Sequence, residues 1–160
     1  MTDVDKALAR LGLTLPTVVP PLAAYRPAVR SGDYVYTSGQ LPMVDGALVA
    51  AGKVGAEIDP DQGYDLARIC ALNALAAVAS IAPLDEVVQI VKVVGFVASA
   101  PGFTGQPKVL NGASELLGEV FGDAGTHARS AVGVAELPLG APVEVELIAQ
   151  LAPSAKTVLV

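Results

Sequence analysis

Two kinds of side chain in the C-terminal part of this sequence could act together on a small acid. Arg129 is followed at alternate positions by Ala131 and Gly133, which leave open space beside a guanidinium whose planar fork suits a carboxylate. Glu144 and Glu146 alternate with apolar residues, so their carboxylates share one face of a strand. The pattern predicts a pocket for a small carboxylic acid.

Two strands must position these residues, one over 127–138 and one that begins at Val143. The short turn from Pro138 to Pro142 makes the strands run in opposite directions, with Arg129 and Glu144 near the two starts. They should therefore lie about seven residues, on the order of 20 Å, apart along the strand axis. If both serve one small substrate, we expect them to come from different chains.

The part of the chain before these strands predicts a short helix, a hairpin and a loop. Apolar residues at helical spacing before Gly12 predict an amphipathic helix within an N-terminal extension, residues 1–22. Residues 23–29 and 34–40, rich in β-branched and aromatic side chains around a polar turn, predict a hairpin. The glycines of residues 44–58 predict a loop with a short strand pair.

Two long helices and a buried strand are predicted in the middle of the chain. Residues 64–80 are dominated by Ala and Leu after a start signal at Asp59, and Cys70 lies on their apolar face as a core residue. Residues 85–97 are apolar on both sides, as in a central strand. A second helix over 110–122 completes an α+β domain whose helices cover one face of the sheet.

Composition limits the function classes. The chain of 160 residues predicts one domain, 1–160, and its 52% hydrophobic and 16% charged residues predict oligomerisation. A net charge of −6, with ten scattered Lys and Arg, argues against nucleic acid or an anionic membrane as partner. The absence of a signal segment or an apolar span predicts a cytoplasmic protein. One Cys and one His predict neither a disulfide nor a metal site.

Four blocks of sequence carry a resemblance to a known family. In chain order they are Tyr36-Thr37-Ser38-Gly39-Gln40-Leu41-Pro42, Val91-Lys92-Val93-Val94-Gly95-Phe96-Val97, Asn111-Gly112-Ala113-Ser114, and Ala128-Arg129-Ser130 with Leu137-Pro138 and Val143-Glu144-Val145-Glu146. The chain resembles the RidA (YjgF) family of reactive-intermediate imine deaminases, a family also called endoribonuclease L-PSP-like. The resemblance spans roughly Tyr25 to Leu151. It implies a chorismate-mutase-like fold and a homotrimer with sites between subunits.

The resemblance also implies roles for individual residues. Arg129 would hold the carboxylate of a 2-imino or 2-enamino acid such as 2-aminoacrylate, and Glu144 would position water for hydrolysis to a 2-keto acid and ammonia. The resemblance implies a reaction without a cofactor. The implied substrate-binding residues, besides Arg129, are Tyr25, Ser38, Gly39 and Asn111. The alternatives from the residues alone are a structural ion pair for Arg129, a solvated charge for Glu144 and a helix-surface position for Asn111.

The chain departs from the family pattern at two positions. Ala131 stands where many members carry Cys, which removes any thiol role, and His127 stands where Pro is common. A lone loop histidine is usually structural, so His127 is not assigned to catalysis. Two other functions remain open, a non-catalytic protein that binds small 2-keto acids and a ribonuclease, and the acidic composition weakens the second.

Overall fold

A mixed sheet of five strands forms one layer of the protein, for which the computed structural model describes residues 1–18 and 24–153. The strands of the chain are β1 (Ala28–Ser31), β2 (Tyr34–Thr37), β3 (Met43–Val44), β4 (Ala47–Leu48), β5 (Val87–Ala98), β6 (Ala128–Val134) and β7 (Val143–Leu151). The large sheet has the order β1-β2-β7-β5-β6, and β3 pairs with β4 separately. β5 and β6 are parallel, and the other neighbours are antiparallel.

Three helices accompany the sheet: α1 (Asp3–Arg10), α2 (Pro60–Ala79) and α3 (Gln106–Phe121). The Asp59 side chain caps α2 by accepting hydrogen bonds from the backbone N–H groups of Asp61 and Gln62. Gly122 caps the C-terminus of α3, with a φ of 60° that suits glycine. In the described part of the chain, no helix is both long enough and apolar enough to cross a membrane.

The two long helices cover one face of the sheet, as the sequence predicts. Every second residue of β7, from Val143 to Leu151, is buried and belongs to the core that α2 and α3 also form. The other residues of β7 face the opposite side, together with the residues paired with them on β2, β5 and β6. We call this second surface the open face: Tyr36, Val94, Phe96, Val132, Glu144, Glu146 and Ile148 lie on it.

Two glycines bring α3 close to its neighbours. A Cβ on Gly112 would overlap the backbone carbonyl of Tyr64, so this position lets α3 approach α2 closely. A Cβ on Gly95 of β5 would overlap the side chain of Leu110, which fills that space instead. These contacts fix where α3 lies relative to the sheet, and α3 carries residues of the candidate site.

Most predicted elements are confirmed, but several bounds were wrong. Residues 24–27 form no strand, and the predicted start at Ala23 lies outside the described residues. The strand over 127–138 ends at Val134, because the chain turns away and forms a 3₁₀ turn at Pro138–Gly140. The predicted start signal at Asp59 is confirmed, because α2 begins at Pro60, directly after its Asp59 cap.

Candidate functional site

Arg129 lies on the face of β6 that is turned toward the helices. It pairs with the buried Val93 of β5, and its Nη1 donates hydrogen bonds to Asn111 Oδ1 at 3.0 Å and to Ser114 Oγ at 3.1 Å. Asn111 and Ser114 are one turn apart on α3 and so share a face of the helix. We call Asn111, Ser114, His127 and Arg129 the anchor cluster.

The guanidinium of Arg129 has one edge free for a ligand. Both hydrogens of Nη1 are directed to α3, and among the described residues no carboxylate lies within 4.0 Å of the group. Within the same part of the chain, Nε and Nη2 donate no hydrogen bond. These two nitrogens form one of the edges through which a guanidinium binds a carboxylate in bidentate fashion.

His127 contacts the anchor cluster from the segment before β6. Its Nε2 lies 2.9 Å from Ser114 Oγ, and its Nδ1 lies 2.6 Å from the carbonyl oxygen of Gly125. Burial lowers the pKa of His127, and the charge of Arg129 lowers it further against the raising effect of the Gly125 carbonyl. The imidazole is therefore neutral at neutral pH.

Glu144 lies on the open face, against the backbone of Gly39. A Cβ on Gly39 would overlap the Glu144 carboxylate, so only glycine permits this contact. Gln40 and Val145 exchange two backbone hydrogen bonds, of 2.8 and 3.0 Å, which hold the loop beside β7. Burial raises the pKa of Glu144, and the neighbouring charge of Glu146 raises it further. We call Gly39 and Glu144 the acid cluster.

Ser38 connects the acid cluster to the loop that carries Tyr25. The Ser38 hydroxyl donates to the carbonyl oxygen of Arg26 at 2.6 Å, and the backbone N–H of Ser38 donates to the carbonyl oxygen of Pro27 at 2.8 Å. The hydroxyl proton is thus engaged within the chain, and only the oxygen lone pairs remain for a ligand. Tyr25 is 59% exposed in this loop, outside any strand.

The anchor cluster and the acid cluster do not meet within one chain. Arg129 is level with Val93 of β5, whereas Glu144 is level with Phe96, so their offset is three residues and not the seven expected. The expected offset of seven residues was wrong because β7 extends past the level of Arg129. Arg129 lies level with Leu147, in the middle of β7. Three residues along and two strand spacings across give about 14 Å, with the side chains on opposite faces.

The remaining candidates for chemistry are accounted for by the core. Cys70 is fully buried, its Sγ lies 3.6 Å from the carbonyl oxygen of Val143, and burial raises the pKa of its thiol well above the ordinary value. The prediction of a core cysteine is confirmed. Over the ranges that the structure describes, no group of three or more His, Cys, Asp or Glu could hold a metal ion.

The sequence interpretation missed Ser114 as a member of the anchor cluster. Ser114 appears in the third block of the family pattern, and it lies three residues after Asn111 on a predicted helix. Helical periodicity was therefore the signal that could have placed it beside Asn111 and opposite Arg129. His127 gave no comparable signal, because its contacts depend on how the 3₁₀ turn Gly122–Gly125 leads into β6.

Comparison with known proteins assigns the family. Residues 5–151 match the family model described as "YjgF/chorismate mutase-like, putative endoribonuclease". The chain belongs to the YjgF family. The resemblance recognised in its four sequence blocks is thereby confirmed, together with the chorismate-mutase-like α+β fold that it implied.

Similar proteins align with most of the chain. Protein TCP17 of Trypanosoma cruzi is 44% identical over 146 residues, which are 90% of this chain and 91% of TCP17. A structure from Shewanella oneidensis MR-1 that carries the same endoribonuclease designation is 35% identical, with a TM-score of 0.89 over 92% of this chain and 99% of that one. E. coli TdcF, solved with bound serine, is 26% identical, with a TM-score of 0.60 over 86% and 93%.

Proposed function

We propose that this YjgF-family protein hydrolyses reactive 2-imino and 2-enamino acids to 2-keto acids and ammonia without a cofactor. The observation that carries the proposal is the Arg129 guanidinium. Asn111 and Ser114 hold one end of it, and its Nε and Nη2 edge has no partner in the described part of the chain. A preorganised fork of this kind suits a carboxylate. The bound serine of TdcF, which carries a carboxylate, supports this class of ligand.

The acid cluster supplies the second requirement of the reaction. In the proposed step, Glu144 accepts a proton from water while the water oxygen forms a bond to the electrophilic imine carbon. Glu144 returns this proton to the nitrogen, which gives a carbinolamine. It then carries the hydroxyl proton to the nitrogen while the carbon–oxygen double bond forms and the carbon–nitrogen bond breaks, so that ammonia leaves and a 2-keto acid remains. An enamine first tautomerises to the imine. Burial raises the pKa of Glu144 toward the working pH, which favours a group that must accept and return protons.

One site requires two chains in this proposal, because the two clusters of a chain lie on opposite faces of its sheet. The open face of one subunit packs against its neighbour and brings that neighbour's Glu144 to Arg129. Apolar side chains exposed on this face support such packing: Tyr36 is 41% and Val132 43% exposed. We propose a homotrimer, the assembly that the family resemblance implies.

A coupled assay tests the proposed reaction. An amino-acid oxidase generates imines from several amino acids, and release of keto acid or ammonia is followed with and without the protein. Acceleration is expected, and Arg129→Ala should reduce kcat/KM about 30-fold or more, because the half-buried charge partner of the carboxylate is lost. Arg129→Lys should also be poor, because a point charge does not reproduce the fork. Arg10→Lys, at an exposed arginine of α1, is the matched control.

Two outcomes would favour other functions. Saturable binding of 2-keto acids without turnover would favour a binding protein. The endoribonuclease designation of the family motivates a test with RNA, although a net charge of −6 opposes binding of a polyanion. Cleavage of RNA that is lost in Arg129→Ala, with no imine hydrolysis in the wild type, would contradict the deaminase proposal.

A further inference from the structure

His127 is the single histidine of the sequence and lies directly before β6. It is half-buried and connects two elements, since Nδ1 faces the carbonyl oxygen of Gly125 and Nε2 faces the hydroxyl of Ser114 on α3. Ser114 in turn accepts a hydrogen bond from Arg129 Nη1. A continuous chain of three hydrogen bonds therefore runs from the 3₁₀ turn to the guanidinium.

The chemistry of the groups fixes the direction of each hydrogen bond. A carbonyl oxygen only accepts, so His127 Nδ1 carries the proton that is donated to Gly125. In the neutral ring Nε2 is then an acceptor, and the Ser114 hydroxyl donates to it. A guanidinium only donates, so Ser114 Oγ uses a lone pair toward Arg129. One tautomer of neutral His127 satisfies all three contacts.

We propose that His127, as the neutral Nδ1–H tautomer, is a positioning residue that holds the Ser114 hydroxyl so that Ser114 fixes the Arg129 guanidinium for its carboxylate ligand. The proposal rests on the carboxylate-binding role proposed for Arg129. A hydroxyl that donates its own proton is a better acceptor, so the His127 contact strengthens the hold of Ser114 on Nη1. Without His127, a serine in a helix can turn its proton to a backbone carbonyl one turn earlier.

The surroundings of His127 keep it neutral. Arg129 on β6 is the charged side chain that acts on its pKa, and its partners from α3 and the 3₁₀ turn, Ser114 and Gly125, are uncharged. A protonated ring would present a second donor to Ser114 Oγ and a second positive charge near the guanidinium. Both changes oppose the observed arrangement.

Two substitutions separate the contacts of the ring. In His127→Asn the amide can replace Nδ1 and keep the Gly125 contact, but it does not reach Ser114. In His127→Gln the amide oxygen can replace Nε2 as acceptor from Ser114. Pyruvate, a 2-keto acid, is titrated calorimetrically into the full-length protein at pH 7.5. We expect Kd about three- to tenfold higher in His127→Asn, and recovery in His127→Gln.

A double variant tests whether His127 acts through Ser114. Ser114→Ala should weaken pyruvate binding, and adding His127→Asn should weaken it no further, because the path is already broken. Three results would overturn the inference while leaving the anchor role of Arg129 intact. They are additive losses in the double variant, normal binding in His127→Asn but not in His127→Gln, and an unchanged Kd in both His127 variants.

A spectroscopic measurement decides the tautomer independently of any ligand. With one histidine in the chain, imidazole ¹H–¹⁵N correlations report on His127 alone. We expect Nδ1 protonated and Nε2 unprotonated at pH 7.5, and a higher pKa in Arg129→Met, because Arg129 lowers it. A ring protonated at Nε2 and not at Nδ1 would overturn this inference but not the proposed function. A wild-type protein that shows the expected tautomer but binds no pyruvate refutes the proposed function and, with it, the positioning role.

Discussion

Mixing two inactive variants, Arg129→Ala and Glu144→Ala, should regenerate active sites. The structure separates the anchor cluster from the acid cluster by about 14 Å and a sheet layer, so one chain cannot present both groups to one small substrate. In a mixed assembly, a Glu144→Ala chain still supplies Arg129, and an Arg129→Ala chain still supplies Glu144. Sites where these two halves meet are intact.

The size of the recovery follows from the symmetry. In the closed ring proposed above, each site would take its anchor cluster from one chain and its acid cluster from the next. With equal amounts of both variants and random assembly, about a quarter of the sites combine two intact halves, so about a quarter of wild-type activity should return. Unequal mixing should give less in proportion to the product of the two fractions.

The assay compares imine hydrolysis by co-refolded mixtures with that of each variant refolded alone. Arg129→Ala mixed with Asn111→Ala is the matched control, because both changes damage the anchor cluster and no mixed site is intact. Wild-type protein taken through the same refolding measures losses. Mixed oligomers verified by mass that recover no activity would refute the shared site.

The other predictions concern three residues of the described core and acid cluster. Gly39→Ala should lower kcat strongly while leaving pyruvate binding measurable, because its Cβ displaces the Glu144 carboxylate; an unchanged kcat would contradict the geometry. Activity should fall at acidic pH as Glu144 takes up a proton, with a midpoint above the ordinary value of 4.5, since burial raises its pKa. A pH–rate profile with its midpoint at or below that value would contradict this. Cys70→Ser should leave turnover unchanged and lower the free energy of unfolding by about 1–2 kcal/mol, measured by urea titration, because a buried hydroxyl is less favourable there than a thiol.

Local patterns predicted the elements and the placing of both long helices on one face of the sheet, but not the order and offset of the strands. Alternation in β7 and the β-branched run of β5 follow from which faces are buried, so the sequence reveals both strands. The position of β5 between β6 and β7, and the three-residue offset of Arg129 and Glu144, depend on packing between distant segments. No local period encodes that packing, which is why the offset was overestimated.

For the candidate site too, the sequence predicted individual residues better than the contacts between them. The sequence identifies Arg129 and Asn111, and the structure joins them at 3.0 Å; it identifies Gly39 and Glu144, and the structure places them in contact. The contact between His127 and Ser114 depends on the path of a turn, which residue types do not specify. Tertiary context decided this part of the site.

The central place of β7 in the sheet has a consequence for synthesis on the ribosome. β7 lies between β2 and β5, so the hairpin of β1 and β2 has no bond to the β5–β6 pair until residues 143–151 have emerged. The nascent chain must therefore carry two incomplete sheets, whose edges can pair wrongly, until its last described strand arrives. Because Glu144 is on that strand, the chain completes its sheet and gains its acid cluster in the same step.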